Sequence, residues 1–209
     1  DLVGILDAEE KSTTYEYDGA GNLIKTTEPG DAVYQYVYDK LNRLAKKVNP
    51  LGAETLYVYN KDSSLTGKTD GNSVVTGYVY DALQRPVAYR DGNGGETSYV
   101  YDALDRVLSI TTPEGNKESY TYDKAGRMRS VTDPNGLTTS YGYDLMDNLV
   151  KEVSPLGAET SYTYDKHDIV TGKTDAKGNT TAYEVDLNGL VKSLTNPDGG
   201  VYTYRYDRV

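Results

Sequence analysis

The sequence predicts an all-β protein, a curved solenoid of antiparallel β-hairpins built from ten copies of one small unit. Three observations predict it: a 21-residue period free of insertions, tyrosines at i and i+2 inside each period, and turn residues on both sides of every short apolar segment. Periodicity takes precedence over local pattern, because a stacked repeat buries its surface against its neighbours and not within one unit.

Two tyrosine columns carry the period. Tyr-Asp pairs fall at Tyr17-Asp18, Tyr38-Asp39, Tyr80-Asp81, Tyr101-Asp102, Tyr122-Asp123, Tyr143-Asp144, Tyr164-Asp165 and Tyr206-Asp207. The two remaining places hold Tyr59-Asn60 and Val185-Asp186. Two residues upstream, Tyr15, Tyr36, Tyr57, Tyr78, Tyr99, Tyr120, Tyr141, Tyr162, Tyr183 and Tyr204 fill every copy. Together the columns hold 19 of the 22 tyrosines, so the ring is tied to the repeat and not to composition.

Each unit divides into two strands and two turns. The first strand is the Thr-x-Tyr-x-Tyr segment, as in Thr160 to Tyr164. Alternation at period two places both rings on one strand face, and Thr, Val and Tyr are strand formers. The first turn follows the aspartate, as in Asp18-Gly19-Ala20-Gly21-Asn22 and Asp123-Lys124-Ala125-Gly126-Arg127. The second strand opens on an apolar residue, as in Leu23 to Thr27, Val107 to Thr111 and Met128 to Thr132. The second turn carries Pro29, Pro50, Pro113, Pro134, Pro155 or Pro197, with glycine two residues on at Gly52, Gly115, Gly136, Gly157 and Gly199. Proline presets one φ angle and glycine accepts a positive one, which is turn chemistry.

Ten units give roughly 20 strands, which laid flat would span ~95 Å. Open sheets of that width twist and curl, and a regular period makes a smooth curl the expected outcome. The 18 Leu, 4 Ile and 19 Val make up just under a fifth of the chain, with no Phe, Trp or Cys, so aliphatic burial is thin. Aligned tyrosine ladders are expected to supply it, at about 0.5–1.5 kcal/mol of pair energy per ring beyond area. Their hydroxyls need partners. The column aspartate is expected to accept either from a hydroxyl or from turn N–H groups.

Composition removes several functions. A net charge of -10 without a basic cluster argues against nucleic acid, whose phosphates call for Lys and Arg. No apolar run approaches the roughly 20 residues of a membrane helix, so membrane insertion is not expected. Without cysteine there are no disulfides and no thiolate sites. Residues 1–209 read as one repeat array, a segment of a longer protein. Pro50 to Thr55 recurs as Pro155 to Thr160 and Thr66 to Asp70 as Thr171 to Asp175, an offset of five repeats that points to a duplicated block.

The pattern resembles the YD-repeat (RHS-repeat) family, best in Tyr120-Thr121-Tyr122-Asp123-Lys124-Ala125-Gly126-Arg127-Met128 and Tyr99-Val100-Tyr101-Asp102-Ala103-Leu104-Asp105-Arg106-Val107. The resemblance covers essentially the whole chain. It implies a spiralling β-sheet that winds into a hollow shell, as in polymorphic toxins, toxin-complex proteins, wall-associated proteins and teneurins. In the bacterial toxins of the family the shell encloses a C-terminal toxic polypeptide, and a closing segment often cleaves itself. That closing segment is not carried over. Asp133-Pro134-Asn135-Gly136-Leu137 looks faintly like part of it but sits in the ordinary Pro-x-Gly turn column. The resemblance further implies secretion or display at the cell surface. The implied partners are the remainder of the shell and an enclosed polypeptide.

No residue set stands apart as an enzyme would require. His167, the single histidine, occupies a variable turn place filled elsewhere by Ala20, Leu41, Asp62, Leu83 and Ala125, and is read as a solvated turn residue. Asp18 to Asn22 and Asp70 to Asn72 have the oxygen and glycine content of calcium loops without their ligand spacing, so turn capping is expected. Thr-Gly-Lys-Thr at Thr66–Thr69 and Thr171–Thr174 lacks the upstream glycine and strand-to-helix step of a phosphate loop. The expectation is a structural segment with no catalytic residue, no metal and no cofactor, whose exposed sheet edges favour edge-to-edge association. Two alternatives are a glycan-binding adhesion array, using exposed tyrosines, and a filament-forming surface protein.

Overall fold

Alternating Thr, Tyr and Val segments separated by Asx-led turns leave the backbone one economical option, strand after strand, and the computed structural model follows it over residues 1–186 and 188–207. All regular elements among these residues are β-strands. They fall into two compact units, Asp1–Val100 with Thr111–Gly115, and Tyr101–Ile110 with Asn116 onward.

The first unit contains β1 (Gly4–Leu6), β2 (Ser12–Tyr17), β3 (Leu23–Glu28), β4 (Ala32–Tyr38), β5 (Leu44–Val48), β6 (Glu54–Tyr59), β7 (Leu65–Thr69), β8 (Val75–Tyr80), β9 (Pro86–Arg90) and nearly all of β10 (Glu96–Tyr101). Each pairs antiparallel with the next in sequence, from β1–β2 to β9–β10. The second unit contains most of β11 (Val107–Thr111), then β12 (Lys117–Tyr122), β13 (Met128–Thr132), β14 (Thr138–Tyr143), β15 (Leu149–Val153), β16 (Glu159–Tyr164), β17 (Val170–Thr174), β18 (Thr180–Val185), β19 (Val191–Thr195) and β20 (Val201–Thr203). From β12 to β20 the pairing is again antiparallel and sequential.

The two faces of the sheet differ. On β2 the half-buried residues are Thr13, Tyr15 and Tyr17, while Ser12, Thr14 and Glu16 are exposed. The deepest residue of β3, Thr26, lies opposite Tyr15 on one side and Tyr34 on the other, so the flanking rings cover it. No large side chain among the described residues is fully buried, and Ala88 is the one hydrophobic residue in the most buried class. Within each unit a single layer of sheet carries its rings on one face, which explains this.

A β-bulge recurs in the Tyr-bearing hairpins. Glu16 lies opposite Lys25, but the next residue, Tyr17, lies opposite Leu23, so Ile24 is extra on β3. The same slip recurs between Val37 and Tyr38, Val58 and Tyr59, Val79 and Tyr80, Thr121 and Tyr122, Gly142 and Tyr143, Thr163 and Tyr164, and Glu184 and Val185. The extra residue flips the alternation. It puts Leu23 on the ring face beside Tyr17 and Lys25 on the other face, where its Nζ reaches Glu16 Oε1 at 2.7 Å.

Most turns of the two rows are built alike, the Glu28–Ala32 turn with positive φ at both Gly30 and Asp31 being an exception. In the first, Asp18 Oδ1 accepts the N–H of Ala20 and of Asn22, each at 2.9 Å. In the second, Asn49 Oδ1 accepts from Leu51 at 3.0 Å and from Ala53 at 2.9 Å. The fourth residue takes a positive φ, 85° at Gly21 and 79° at Gly52, as a three-residue hairpin loop requires. The same place holds a residue other than glycine in several turns, including Asn42, Ser63, Ser73, Gln84 and Asp105.

Candidate functional site: a clasp between successive repeats

The Tyr-Asp dipeptide serves two neighbours at once. Its tyrosine ends a strand, beside the bulge, and in most repeats its hydroxyl donates to the carbonyl of the residue fifteen places back, where the previous long hairpin arm begins. The distances are 2.9 Å for Tyr17 to Leu2, 3.0 Å for Tyr38 to Leu23, 2.9 Å for Tyr59 to Leu44 and 2.9 Å for Tyr80 to Leu65. In the second unit they are 2.8 Å for Tyr122 to Val107, 2.8 Å for Tyr164 to Leu149 and 3.0 Å for Tyr206 to Val191. A hydroxyl thus satisfies a carbonyl at the point where the bulge interrupts the ladder.

The aspartate organises its own turn and then recruits an arginine four residues on. Asp39 Oδ1 accepts backbone N–H groups from Leu41 at 2.8 Å and Arg43 at 3.1 Å. Its Oδ2 accepts from Arg43 Nε and Nη2, both at 2.7 Å, in a forked ion pair. The guanidinium then lies 4.7 Å above the ring of Tyr59, in the next repeat, and Nη1 donates to the Asn60 carbonyl at 2.9 Å. Arg106 repeats this with Asp102, the Tyr122 ring at 4.7 Å and the Asp123 carbonyl at 3.3 Å. Arg127 repeats it with Asp123, the Tyr143 ring at 4.8 Å and the Asp144 carbonyl at 2.7 Å, and adds an ion pair to Asp147 at 2.8 Å. At three places without arginine, shorter polar groups reach across. Asn22 Nδ2 donates to Asn42 Oδ1 at 3.0 Å, Ser64 Oγ to Gln84 Oε1 at 2.8 Å, and Asn148 Nδ2 to Asp168 Oδ1 at 2.7 Å.

These bonds set the charge states. The Arg43, Arg106 and Arg127 hydrogen bonds hold the carboxyls of Asp39, Asp102 and Asp123 below the usual carboxylate range. Asn22 does the same for Asp18, and Asp123 raises Arg127 in return. Burial, with a hydrogen bond to Glu118 added, pushes the Tyr120 phenol up to about 12.

The upstream tyrosines line the ring face between the clasps. Tyr15, Tyr36, Tyr57, Tyr78, Tyr99, Tyr120, Tyr141, Tyr162 and Tyr183 are half-buried, and Tyr204 is exposed. Equivalent rings of successive repeats stand two strands apart, roughly 9.6 Å. This is too far for direct stacking, and cations partly fill the interval. Lys47 Nζ lies 4.9 Å from the Tyr34 ring and 5.7 Å from that of Tyr36, and Lys173 Nζ lies 5.8 Å from that of Tyr162. A close ring pair forms where the extra tyrosine Tyr89 faces Tyr78 at 5.3 Å. The expected tyrosine ladder is therefore a ladder of rings spaced by cations and aliphatic residues, and the column aspartate accepts from turn N–H groups.

The remaining sequence features fall into the ordinary repeat. His167 is exposed in its turn, its N–H donating to Asp165 Oδ1 at 2.8 Å. Asp133 Oδ1 accepts from Asn135 and Leu137 at 2.9 and 2.8 Å, the geometry of the other turns. Thr66–Thr69 and Thr171–Thr174 lie within β7 and β17, with no helix after them. Among the described residues no three of His, Cys, Asp and Glu come together as metal ligands would.

The arginine of the clasp recurs at Arg43, Arg85, Arg106 and Arg127, and that column was a sequence signal for it. Comparison with known families agrees with the geometry. The RHS Repeat profile matches residues 1–33, 19–54, 80–117, 101–136, 122–159 and 147–180, well over half of the chain. The chain belongs to the RHS-repeat family.

No curated protein matches it by sequence. Among solved structures, the crystal structure of TcdB2-TccC3-TEV is 17% identical with a TM-score of 0.70, over 93% of this chain and 12% of that one. TcdB2-TccC3-Cdc42 is 19% identical with a TM-score of 0.58, over 88% of this chain and 12% of that one. The Photorhabdus luminescens Tc holotoxin pore carrying TccC3-D651A is 16% identical with a TM-score of 0.54, over 89% of this chain and 13% of that one. The RHS-repeat chain thus shares its fold with a stretch of these much longer proteins and spans about one eighth of their length.

Proposed function

We propose that this RHS-repeat array is a wall segment of a shell that encloses a C-terminal polypeptide of its parent protein and keeps it from its surroundings, in a secreted or surface-displayed toxin-like protein. One observation carries the reading: within each compact unit most successive repeats are fastened by a tyrosine hydroxyl on the backbone of the preceding repeat, so neighbours are held to one another and not strung as beads on a linker. The fold shared with TcdB2-TccC3 supports a shell over a free-standing filament. The engagement of the Tyr-Asp hydroxyls with backbone carbonyls speaks against a glycan platform, which needs free ring faces and hydroxyls. On the face away from the rings, Val37, Leu56, Val58 and Val79 are between 42% and 59% exposed, a surface suited to contact with an unfolded passenger. The role is steric and mechanical, without a catalytic step, a metal or a cofactor. The partners are neighbouring repeats of the same parent and the passenger, and sheet edges left open by excision associate with one another.

Limited proteolysis of the array expressed together with its natural downstream flank tests this. The reading expects the flank to resist protease while the array is present and to be digested once the array is deleted. Equal digestion in both cases overturns it.

A further inference from the structure

One repeat lacks its ring, and the fold keeps the place open. Around Tyr59 the slot is formed by Arg43 above the ring, by Leu44, whose carbonyl takes the hydroxyl, and by Leu65, the cross-strand partner. Six repeats on, the tyrosine is Val185, and the same three places hold Ile169, Val170 and Val191. Valine removes both the ring and the hydroxyl, and isoleucine at the arginine place removes the cation that covers the ring elsewhere. What remains is a depression of about 490 Å³, open to solvent, lined by Ile169, Val170, Val185 and Val191 with the flanking rings of Tyr162 and Tyr183, and also by the charged Asp168 and Lys173. The Val170 carbonyl stands where, in the repeats that keep the tyrosine, a phenolic hydroxyl arrives, and Val185 has none to offer.

We infer that this depression is a binding site for a para-alkyl phenol. The ring takes the place of the missing tyrosine side chain, and its hydroxyl donates to the Val170 carbonyl. The occupant is defined by what fills the equivalent slot in other repeats of the same chain: a ring of that width, a donor at its far end and an alkyl stem toward the strand. Aliphatic walls on Ile169 and Val191 favour the ring by burial, and the carbonyl selects a phenol over a plain arene. Either a free phenol or a tyrosine side chain of a polypeptide satisfies this chemistry. The inference stands apart from the proposed function, because it rests on one altered repeat and not on what the array surrounds.

Methyl-resolved NMR of the chain titrated with p-cresol tests it. The expected result is saturable shifts of the Ile169, Val170, Val185 and Val191 methyls. Toluene should bind roughly two- to tenfold more weakly for want of the hydrogen bond. In Val185→Tyr the slot is filled by the chain itself, so the shifts should vanish and the urea midpoint should rise. Ile169→Arg, which restores the covering cation over the ring, is the second variant and should tighten p-cresol binding, read at the Val170, Val185 and Val191 methyls. N-acetyl-tyrosinamide separates the sources: binding at the same methyls extends the site to a polypeptide tyrosine, and p-cresol binding alone assigns it to a free phenol. Absent shifts with p-cresol, shifts that persist unchanged in Val185→Tyr, or equal affinity for toluene would each overturn the assignment.

Discussion

The hydroxyl of Tyr59 donates to the carbonyl of Leu44 at 2.9 Å, across a fifteen-residue separation that carries it from one hairpin to the one before. Its ring is at the same time covered by Arg43 at 4.7 Å. One side chain therefore meets a backbone group and a cation of the preceding repeat, and loss of the hydroxyl alone separates the two contributions.

Tyr59→Phe keeps the ring under Arg43 and leaves the Leu44 carbonyl without its donor. The expected cost is about 1 kcal/mol, read as a lower urea midpoint at unchanged m-value. An unchanged midpoint would mean that water replaces the hydroxyl without penalty.

Arg127 touches Asp123, the Tyr143 ring, the Asp144 carbonyl and Asp147. Lysine cannot reproduce the fork or the planar stack. Arg127→Lys should speed hydrogen exchange several-fold at the Asp147 and Asn148 amides, with β18 amides unaffected, because repeats communicate through nearest neighbours. Uniform acceleration over the second unit would contradict a local clasp.

Acid should loosen the joints. Asp18, Asp39, Asp102 and Asp123 titrate lower in the folded chain than when unfolded. Their contribution is present above the unfolded carboxylate value, near ~3.9, and is lost as pH falls through the folded values. Midpoints measured at stepwise lower pH should hold steady down to about pH 4 and then drop.

Base should act through the phenols. Tyr120 ionises at about 12 when folded, against roughly 10 when unfolded. Its contribution is full below the unfolded value and disappears as pH rises through the folded one. Tyrosinate absorbance should rise late and together with unfolding, and Tyr120→Phe should reduce that coupling.

Ser73 holds a φ of 63° and makes its turn bond through its N–H to Asp70 at 2.9 Å, which glycine retains. Relief of left-handed strain, about 1–2 kcal/mol, exceeds the entropy glycine costs, about 0.5–1 kcal/mol. Ser73→Gly should therefore stabilise the first unit by roughly 0.5–1 kcal/mol, measured by thermal unfolding.

Strand and turn order could be read from the sequence because they follow from alternation and from Gly, Pro and Asx placement, which are local. The bulge was harder to read. Its trace is the change from Leu23 on the ring face to Lys25 opposite Glu16, a switch of parity that simple alternation forbids. The partner of the tyrosine hydroxyl had no trace at all, since a main-chain carbonyl carries no residue signature. Pro-x-Gly marked the second turn row, yet the feature common to most turns of both rows is the Asx side chain at the first position, seen in Asp18 and Asn49 alike and replaced at Glu28, Thr112 and Ser154. Stacked rings were expected because the columns align in sequence. The two-strand interval between them, set by backbone spacing, made cations such as Arg43 the neighbours instead.

Because the fastening between most repeats and the next uses the same few groups, a copied stretch of whole repeats with such ends arrives with both of its seams already complementary. The recurrence of Pro50–Thr55 at Pro155–Thr160 has the form such copying would leave. Growth by gene duplication then needs no compensating change at the new boundary, and the length of the array is set by how many copies selection retains.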